Sequence, residues 1–132
     1  SQQQGCLLLL DMDHFRDLNH ALSHQQCDEI LRRIGTGLKT LGDEQHAARF
    51  GGEIFSVILA DKGADEAMQI AEKLRRSVLS LGKNSQYTIS ASIGVAERLD
   101  DTPSASEWLS NADKALYHAK ESGRNRTSLF KR

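Results

Sequence analysis

An uninterrupted apolar run near the start of the chain constrains the fold more than any other stretch. Residues 6–10 read C-L-L-L-L, and the run ends at Asp11. Because apolar side chains do not alternate with polar ones, the run predicts a central strand that is covered on both faces of a sheet. A membrane helix needs about 20 apolar residues, so this run is too short to be one.

The remaining pattern predicts the order β-α-α-β-β-α-β-α-β. Strands are predicted at residues 6–11, 45–50, 54–59, 87–95 and 127–130, and helices at 15–21, 28–41, 64–81 and 104–121. Ser104 and Glu107 have the spacing of a capping box at the start of the last helix, which is expected to bury Leu109 among its apolar residues. The order predicts an α+β fold with a ferredoxin-like βαββαβ core, an antiparallel-containing central sheet and flanking helices.

Composition limits the kind of protein. The 132 residues fit one domain spanning 1–132, with any N-terminal sensor or linker outside it. A net charge of -1 gives no general electrostatic case for a nucleic-acid or membrane surface, so no nucleic-acid partner is expected. Cys6 and Cys27 fit reduced packing or loop residues, which favours a cytoplasmic domain. A membrane anchor is expected only in absent parts of a parent protein.

A pair of glycines stands between two predicted strands. Gly51 and Gly52 are followed by Glu53 in the sequence R-F-G-G-E-I-F, residues 49–55. Glycine has no Cβ, so a ligand can approach the backbone of this turn closely, and Glu53 extends into the same space. An ordinary tight turn explains the same residues.

Acidic residues follow the first predicted strand. Asp11 and Asp13 surround its end, and Asp11 would meet Glu53 if this strand lies beside the hairpin. Carboxylate oxygens together with nucleotide phosphates suit Mg²⁺, which commonly uses one or two protein carboxylates. The alternative is that these acids are turn or capping residues.

Polar and basic residues elsewhere suggest nucleotide contacts. Lys120, Arg124 and Arg126 could neutralise a triphosphate, but they also complement the C-terminal dipole of the last helix. Asn19 and Asp28 could bind a guanine edge, although capping of a helix by Asp28 is the simpler explanation.

Taken together, these motifs resemble the GGDEF family, the diguanylate cyclase domain, over residues 7–130. The matching segments are L-D-M-D-H-F-R-D-L-N at 10–19, D-E-I-L at 28–31, R-F-G-G-E-I-F at 49–55, S-I-G-V at 92–95, A-D-K-A-L-Y-H-A-K at 112–120 and G-R-N-R at 123–126.

The resemblance implies a nucleotidyl-cyclase palm that condenses two GTP into cyclic di-GMP, with one GTP held by each of two antiparallel protomers. It implies Mg²⁺ or Mn²⁺ as cofactor and a functional homodimer. Asp11 and Glu53 match the catalytic metal ligands, with the Met12 carbonyl as a further ligand. The substrate-binding positions implied are Asn19 and Asp28 for guanine, and Phe15, Arg16, Gly51, Gly52, Lys120 and Arg124 for the phosphates.

The chain departs from the family pattern at several positions. Ile54 stands where the family normally has Glu, and Ser23 and Cys27 stand where it has glycine. The product-inhibition motif RxxD falls on G-D-E-Q at 42–45, so inhibition by cyclic di-GMP through that site is not expected.

Two hypotheses follow from the resemblance and its departures. The first is an active or weakly active diguanylate cyclase. The second is a degenerate domain that binds GTP, or serves in dimerisation, and regulates an attached domain such as a cyclic di-GMP phosphodiesterase. A nucleotide-independent dimerisation domain is the structural alternative, and the retained guanine and phosphate residues argue against it.

Overall fold

The structure, a computed structural model, describes residues 5–39, 46–50, 54–83, 85–98 and 104–131, with the backbone alone for 46–50. The elements are β1 (Gly5–Met12), α1 (Phe15–Ala21), α2 (His24–Lys39), β2 (His46–Phe50), β3 (Ile54–Ala60), α3 (Ala64–Ser80), β4 (Ala91–Glu97), α4 (Ala105–Glu121) and β5 (Thr127–Leu129). Their order confirms the prediction from sequence.

The strands form one mixed sheet in the order β2-β3-β1-β4-β5. The pairs β2–β3, β3–β1 and β1–β4 are antiparallel, and β4–β5 is parallel. The first four strands have the order of a βαββαβ core, which α4 and β5 extend, so the predicted fold class is confirmed. Every residue of β1 is buried, as the apolar run indicated.

Helices cover both faces of the sheet. The even-numbered residues Leu8 and Leu10 of β1 pack in one core with residues of α2 and α3. The odd-numbered Leu7 and Leu9 pack against α4 in a second core, with Trp108 among its members. In the part of the chain that the structure describes, we find no helix with the length and apolar character needed to cross a membrane. Cys6 and Cys27 are free thiols that pack inside the domain.

Close contact between α4 and β4 depends on one glycine. A Cβ placed on Gly94 would overlap the backbone nitrogen of Leu116 and the carbonyl oxygen of Ala112. Backbone atoms cannot turn aside as a side chain can, so any larger residue must push the helix away from the sheet.

We therefore expect Gly94→Ala to lower the free energy of unfolding by about 2–3 kcal/mol, measured by urea denaturation. Gly37→Ala in α2 is the matched control, since a Cβ placed there has no described atom within 4 Å apart from its chain neighbours and the adjacent backbone of its own helix. That change should raise stability by up to about 1 kcal/mol, the usual gain for glycine to alanine within a helix. Equal free energies of unfolding for the two variants would show that close packing of α4 against Gly94 does not stabilise the domain.

The start of α2 corrects the sequence prediction. The helix begins at His24 rather than at Asp28. The Ser23 hydroxyl accepts a hydrogen bond from the Gln26 amide at 3.1 Å, and the Gln26 side chain accepts one from the Ser23 amide at 2.9 Å. This reciprocal capping box places Asp28 inside the helix, so its predicted capping role is wrong. The predicted helix end at residues 41–42 lies outside the described residues.

Two further corrections concern β4 and α4. Strand β4 begins at Ala91, not at Tyr87. Its partner strand β1 ends at Met12, opposite Ala91, so the residues before Ala91 have no β1 residue to pair with. On α4, Ser104 is the N-cap and accepts from the Glu107 amide, as predicted. Leu109, expected to face inward, is 44% exposed because it lies one residue past the buried Trp108 on the helix surface.

Candidate functional site

A buried carboxylate lies at the end of the middle strand. Asp11 is 7% exposed, and one of its oxygens, Oδ2, pairs with the ammonium group of Lys120 on α4. The other oxygen, Oδ1, is buried and has no hydrogen-bond partner among the residues that the structure describes. A buried acceptor of this kind is costly unless a donor or a cation satisfies it.

The hairpin lies beside this carboxylate. Strands β2 and β3 pair from Phe50 opposite Ile54, and Ile54 is in turn the β3 residue opposite Asp11. Directly paired residues place their side chains on one face, so Ile54 faces the same side of the sheet as Asp11. The predicted neighbourhood of the first strand and the hairpin is therefore confirmed. Gly51, Gly52 and Glu53 themselves lie outside the described residues.

The backbone of β1 also indicates where the Met12 carbonyl points. Asp13 donates its amide to the Ser90 carbonyl, and the Gly5 carbonyl accepts from Arg98, so odd-numbered residues of β1 bond toward β4. Backbone groups of consecutive residues alternate between the two neighbouring strands, which directs those of Met12 to the β3 side. The described part of β3 begins at Ile54, opposite Asp11.

These donors fit a hard divalent cation. Asp11 has a carboxylate oxygen to which no described residue donates, and the Met12 carbonyl lies on the hairpin side of the same strand end. Within residues 5–39, 54–83, 85–98 and 104–131, no group of three or more His, Cys, Asp or Glu side chains is gathered in metal-binding geometry. This sparse donor set suits Mg²⁺, which keeps several waters and shares phosphate oxygens. The metal and its ligands stay a prediction.

Asp13 does not join Asp11. Its carboxylate is 4% exposed and accepts hydrogen bonds from the hydroxyls of Ser90 at 2.7 Å and Ser92 at 2.6 Å. A third bond comes from the backbone amide of Asn125 at 3.0 Å. With both oxygens occupied by donors, Asp13 is a structural link between β1, β4 and the segment after α4. Its grouping with a metal site is therefore wrong.

The basic cluster after α4 separates into different roles. Lys120 pairs with Asp11, while Arg126 donates to the Arg124 carbonyl at 3.1 Å and closes the turn that follows the helix. The Arg124 side chain is exposed. The structure thus brings one predicted phosphate ligand directly to the predicted metal ligand.

The predicted guanine contacts lie at the corner between α1 and α2. The Cys27 thiol donates to the Leu18 carbonyl at 3.7 Å, and Asn19 and Asp28 directly follow these two residues. Both polar side chains are exposed. Burial raises the pKa of the Cys27 thiol, and the Asp28 carboxylate raises it further, so the thiol acts as a neutral packing group.

The phosphate-side turn joins β1 to α1. Phe15 packs on the larger core, and Arg16 is exposed. His14, immediately before the helix, has a left-handed backbone with φ 53°. Sequence reasoning placed Phe15 and Arg16 at this turn, and their contacts to phosphate stay a prediction.

A polar network beside the site was not predicted. Arg75 of α3 donates to the Asn125 side chain at 2.8 Å and is held by Glu72, whose pKa the Arg75 hydrogen bonds keep below its usual range. One signal in the sequence indicates the neighbouring hydrogen bonds of Asp13 to Ser90 and Ser92. Ser90 and Ser92 stand two apart, so small hydroxyls face one side of the chain toward a buried acceptor.

Comparison with known proteins identifies the family to which this arrangement belongs. The family model for the diguanylate cyclase GGDEF domain matches residues 1–126. Diguanylate cyclase VdcA of Vibrio cholerae is 40% identical over 131 residues, which cover 94% of this chain and 38% of that protein. Diguanylate cyclase A of Treponema denticola is 38% identical, with 95% and 35% covered.

Solved structures agree with the sequence comparison. The GGDEF domain of DgcB from Caulobacter crescentus, solved in complex with c-di-GMP, has a TM-score of 0.88 and 32% identity, covering 98% of this chain and 77% of that one. The active GGEEF domain of a Vibrio cholerae diguanylate cyclase has a TM-score of 0.91 and 25% identity, with 98% and 85% covered. The chain belongs to the GGDEF domain family. It spans about a third of the length of the curated relatives it matches.

Proposed function

We propose that this domain condenses two GTP molecules into cyclic di-GMP and releases pyrophosphate. The observation that carries the proposal is the end of β1, where one buried oxygen of Asp11 has no donor among the described residues and the other pairs with Lys120. This end of the sheet offers an acceptor for a divalent cation beside a donor for phosphate. The named diguanylate cyclases among its relatives support the same chemistry.

Recognition of GTP divides between two parts of the domain. Asn19 and Asp28, exposed at the α1–α2 corner, would bind the guanine edge. Lys120 and Arg124 would pair with phosphate oxygens, together with the backbone amides at Phe15 and Arg16. Gly51 and Gly52 would let the phosphates approach the backbone closely.

The reaction joins two such half-sites from antiparallel protomers. The 3′-oxygen of each GTP forms a bond to the α-phosphorus of the other, the bond to pyrophosphate breaks, and the hydroxyl proton is released. When bound at Asp11, Glu53 and the Met12 carbonyl, Mg²⁺ or Mn²⁺ would supply charge neutralisation and a lowered pKa for the attacking hydroxyl. Lys120 and Arg124 hold the phosphates in line for displacement.

Incubation of the chain with GTP and Mg²⁺ or Mn²⁺ tests this proposal. We expect cyclic di-GMP and pyrophosphate, separated by chromatography and identified by mass. Because each protomer holds one GTP, the rate should rise more steeply than linearly with protein concentration until dimers form. GTP binding without formation of cyclic di-GMP, at protein concentrations where a dimer is present, would contradict the cyclase proposal.

Ile54 favours a second candidate function. An aliphatic side chain stands opposite Asp11, where the family has a carboxylate, and it can neither bind a cation nor orient a ligand. A domain defective in catalysis would still bind GTP and regulate an attached domain. This candidate predicts that GTP binding changes the activity of an attached domain, such as a phosphodiesterase, in the parent protein. It also predicts that no cyclic di-GMP is formed.

A further inference from the structure

The turn after α4 is fastened to the sheet by a buried carboxylate. Asp13 holds the Asn125 amide at 3.0 Å and is itself fixed by the hydroxyls of Ser90, immediately before β4, and Ser92 on β4. Since Asp13 is 4% exposed, water does not compete for these bonds. The carboxylate therefore determines how far this turn lies from the end of β1.

The same turn is fastened from a second side. The Asn125 side chain accepts from Arg75 of α3 at 2.8 Å. Glu72 holds that guanidinium at 2.8 Å and also accepts from the Thr127 hydroxyl at 3.2 Å. Asn125 is thus bound through its amide to the sheet and through its side chain to a helix.

The backbone of this turn has an unfavourable conformation that the hydrogen bonds to Asn125 stabilise. Gly123, Arg124 and Asn125 have φ values of 129°, 62° and 47°, so all three are in left-handed conformations. Such conformations are unfavourable for residues that carry a Cβ, although asparagine tolerates them better than most. Arg124 lies in the middle of this turn, so the anchors on Asn125 determine where the Arg124 side chain begins.

We infer that Asp13 is a positioning residue that fixes Arg124 for phosphate binding by holding the turn that carries it. The inference rests on the proposed function, because it takes Arg124 as a phosphate ligand. It assigns Asp13, directly after β1, a role different from that of Asp11 within β1. Asp11 would face the metal, whereas Asp13 sets the distance between the end of β1 and the turn that carries Arg124.

A double-mutant cycle with inorganic triphosphate tests the inference. Asp13→Asn keeps the size of the side chain but replaces an acceptor oxygen with an NH₂ group among three donors. We expect about 10-fold weaker triphosphate binding by calorimetry, and no more than about 2-fold weakening when the same change is made in an Arg124→Ala chain. Coupling of this kind is measurable because residues that act through one another are not additive.

A control separates positioning from loss of stability. Trp108→Phe removes the hydrogen bond from the indole to the Ala96 carbonyl, a buried bond at the other end of α4. It should lower the melting temperature while leaving triphosphate affinity within about 2-fold. Ser90→Ala serves if Asp13→Asn does not fold, since it keeps every charge, removes one hydroxyl that fixes the Asp13 carboxylate and should weaken triphosphate binding about 3-fold.

The outcomes distinguish this inference from the proposed function. Equal weakening with and without Arg124, or unchanged affinity in Asp13→Asn, overturns the positioning role. If the unaltered chain binds triphosphate but forms no cyclic di-GMP, the result counts against the cyclase proposal. The double-mutant cycle still tests the role of Asp13, because it uses triphosphate affinity alone. Failure of the unaltered chain to bind triphosphate overturns the inference as well. In an active enzyme, Asp13→Asn should raise KM for GTP and change kcat little, as expected for lost phosphate binding.

Discussion

Asp11→Asn is expected to lower the rate of cyclic di-GMP formation by at least about 10²–10³-fold, the usual loss when one group that stabilises transition-state charge is removed. Within the part of the chain that the structure describes, one buried oxygen of this carboxylate has no donor, and it is the acceptor that the predicted cation would use. Asparagine keeps the shape but presents a neutral, weaker ligand. The rate is measured from product formed at saturating GTP over a series of Mg²⁺ concentrations.

Binding measurements complete the Asp11 test. Mg²⁺ with GTP should raise the melting temperature of the unaltered chain more than that of Asp11→Asn, because a ligand stabilises the folded state in proportion to its affinity. Asp65→Asn, which removes an exposed acid from the first turn of α3, is the matched control and should behave as the unaltered chain. A rate within a few-fold of normal in Asp11→Asn would remove Asp11 from the metal site.

Ile54→Glu is expected to raise the rate by about 10²-fold if the missing acid limits catalysis. Ile54 lies opposite Asp11 and is only partly buried, so a glutamate there can be accommodated at the strand end. The new carboxylate would add a second acidic ligand on the same face of the sheet. Ile54→Gln is the matched control, since it has the same length without the charge, and it should leave the rate near that of the unaltered chain.

The Ile54→Glu change also has a stability signature. The new glutamate would share with Asp11 the single counterion Lys120, and like charges directly opposite each other on adjacent strands are destabilising, by up to about 1 kcal/mol. The free energy of unfolding should therefore fall in the presence of a chelator and recover when Mg²⁺ is added, whereas Ile54→Gln should not respond to Mg²⁺ in this way. An unchanged rate in Ile54→Glu would show that position 54 does not limit activity, and it would favour the regulatory candidate.

The hydrophobic pattern of the sequence predicts the fold because each element must bury its apolar residues. Residues 6–10 lack alternation, and β1 is indeed the middle strand with helices on both faces. Boundaries are less predictable where two local signals compete. The acid at Asp28 suggested a helix start, whereas the capping box from Ser23 to Gln26 satisfies the helix amides four residues earlier.

The site was partly predictable for a similar reason. Strand pairing brings Asp11 to the hairpin, and the sequence order of the strands was sufficient to expect this. The partners of Asp13 were not predictable, because Ser90 and Asn125 are far from it in sequence and their bonds depend on how β4 and the turn after α4 are seated. Two aspartates around one strand end look alike in sequence, and the hydrogen-bond donors that each one meets in the fold distinguish them.

The ion pair between Asp11 and Lys120 gives the domain an internal counterion. A carboxylate that is already neutralised attracts a free divalent ion weakly, whereas a nucleotide that carries such an ion also brings phosphate oxygens for the displaced ammonium group. Under the proposed function, binding of cation and nucleotide would therefore be linked, since each would improve the site for the other. If the domain binds GTP with a divalent cation as proposed, the charge balance of these two side chains would let it discriminate the metal–nucleotide complex from either component alone.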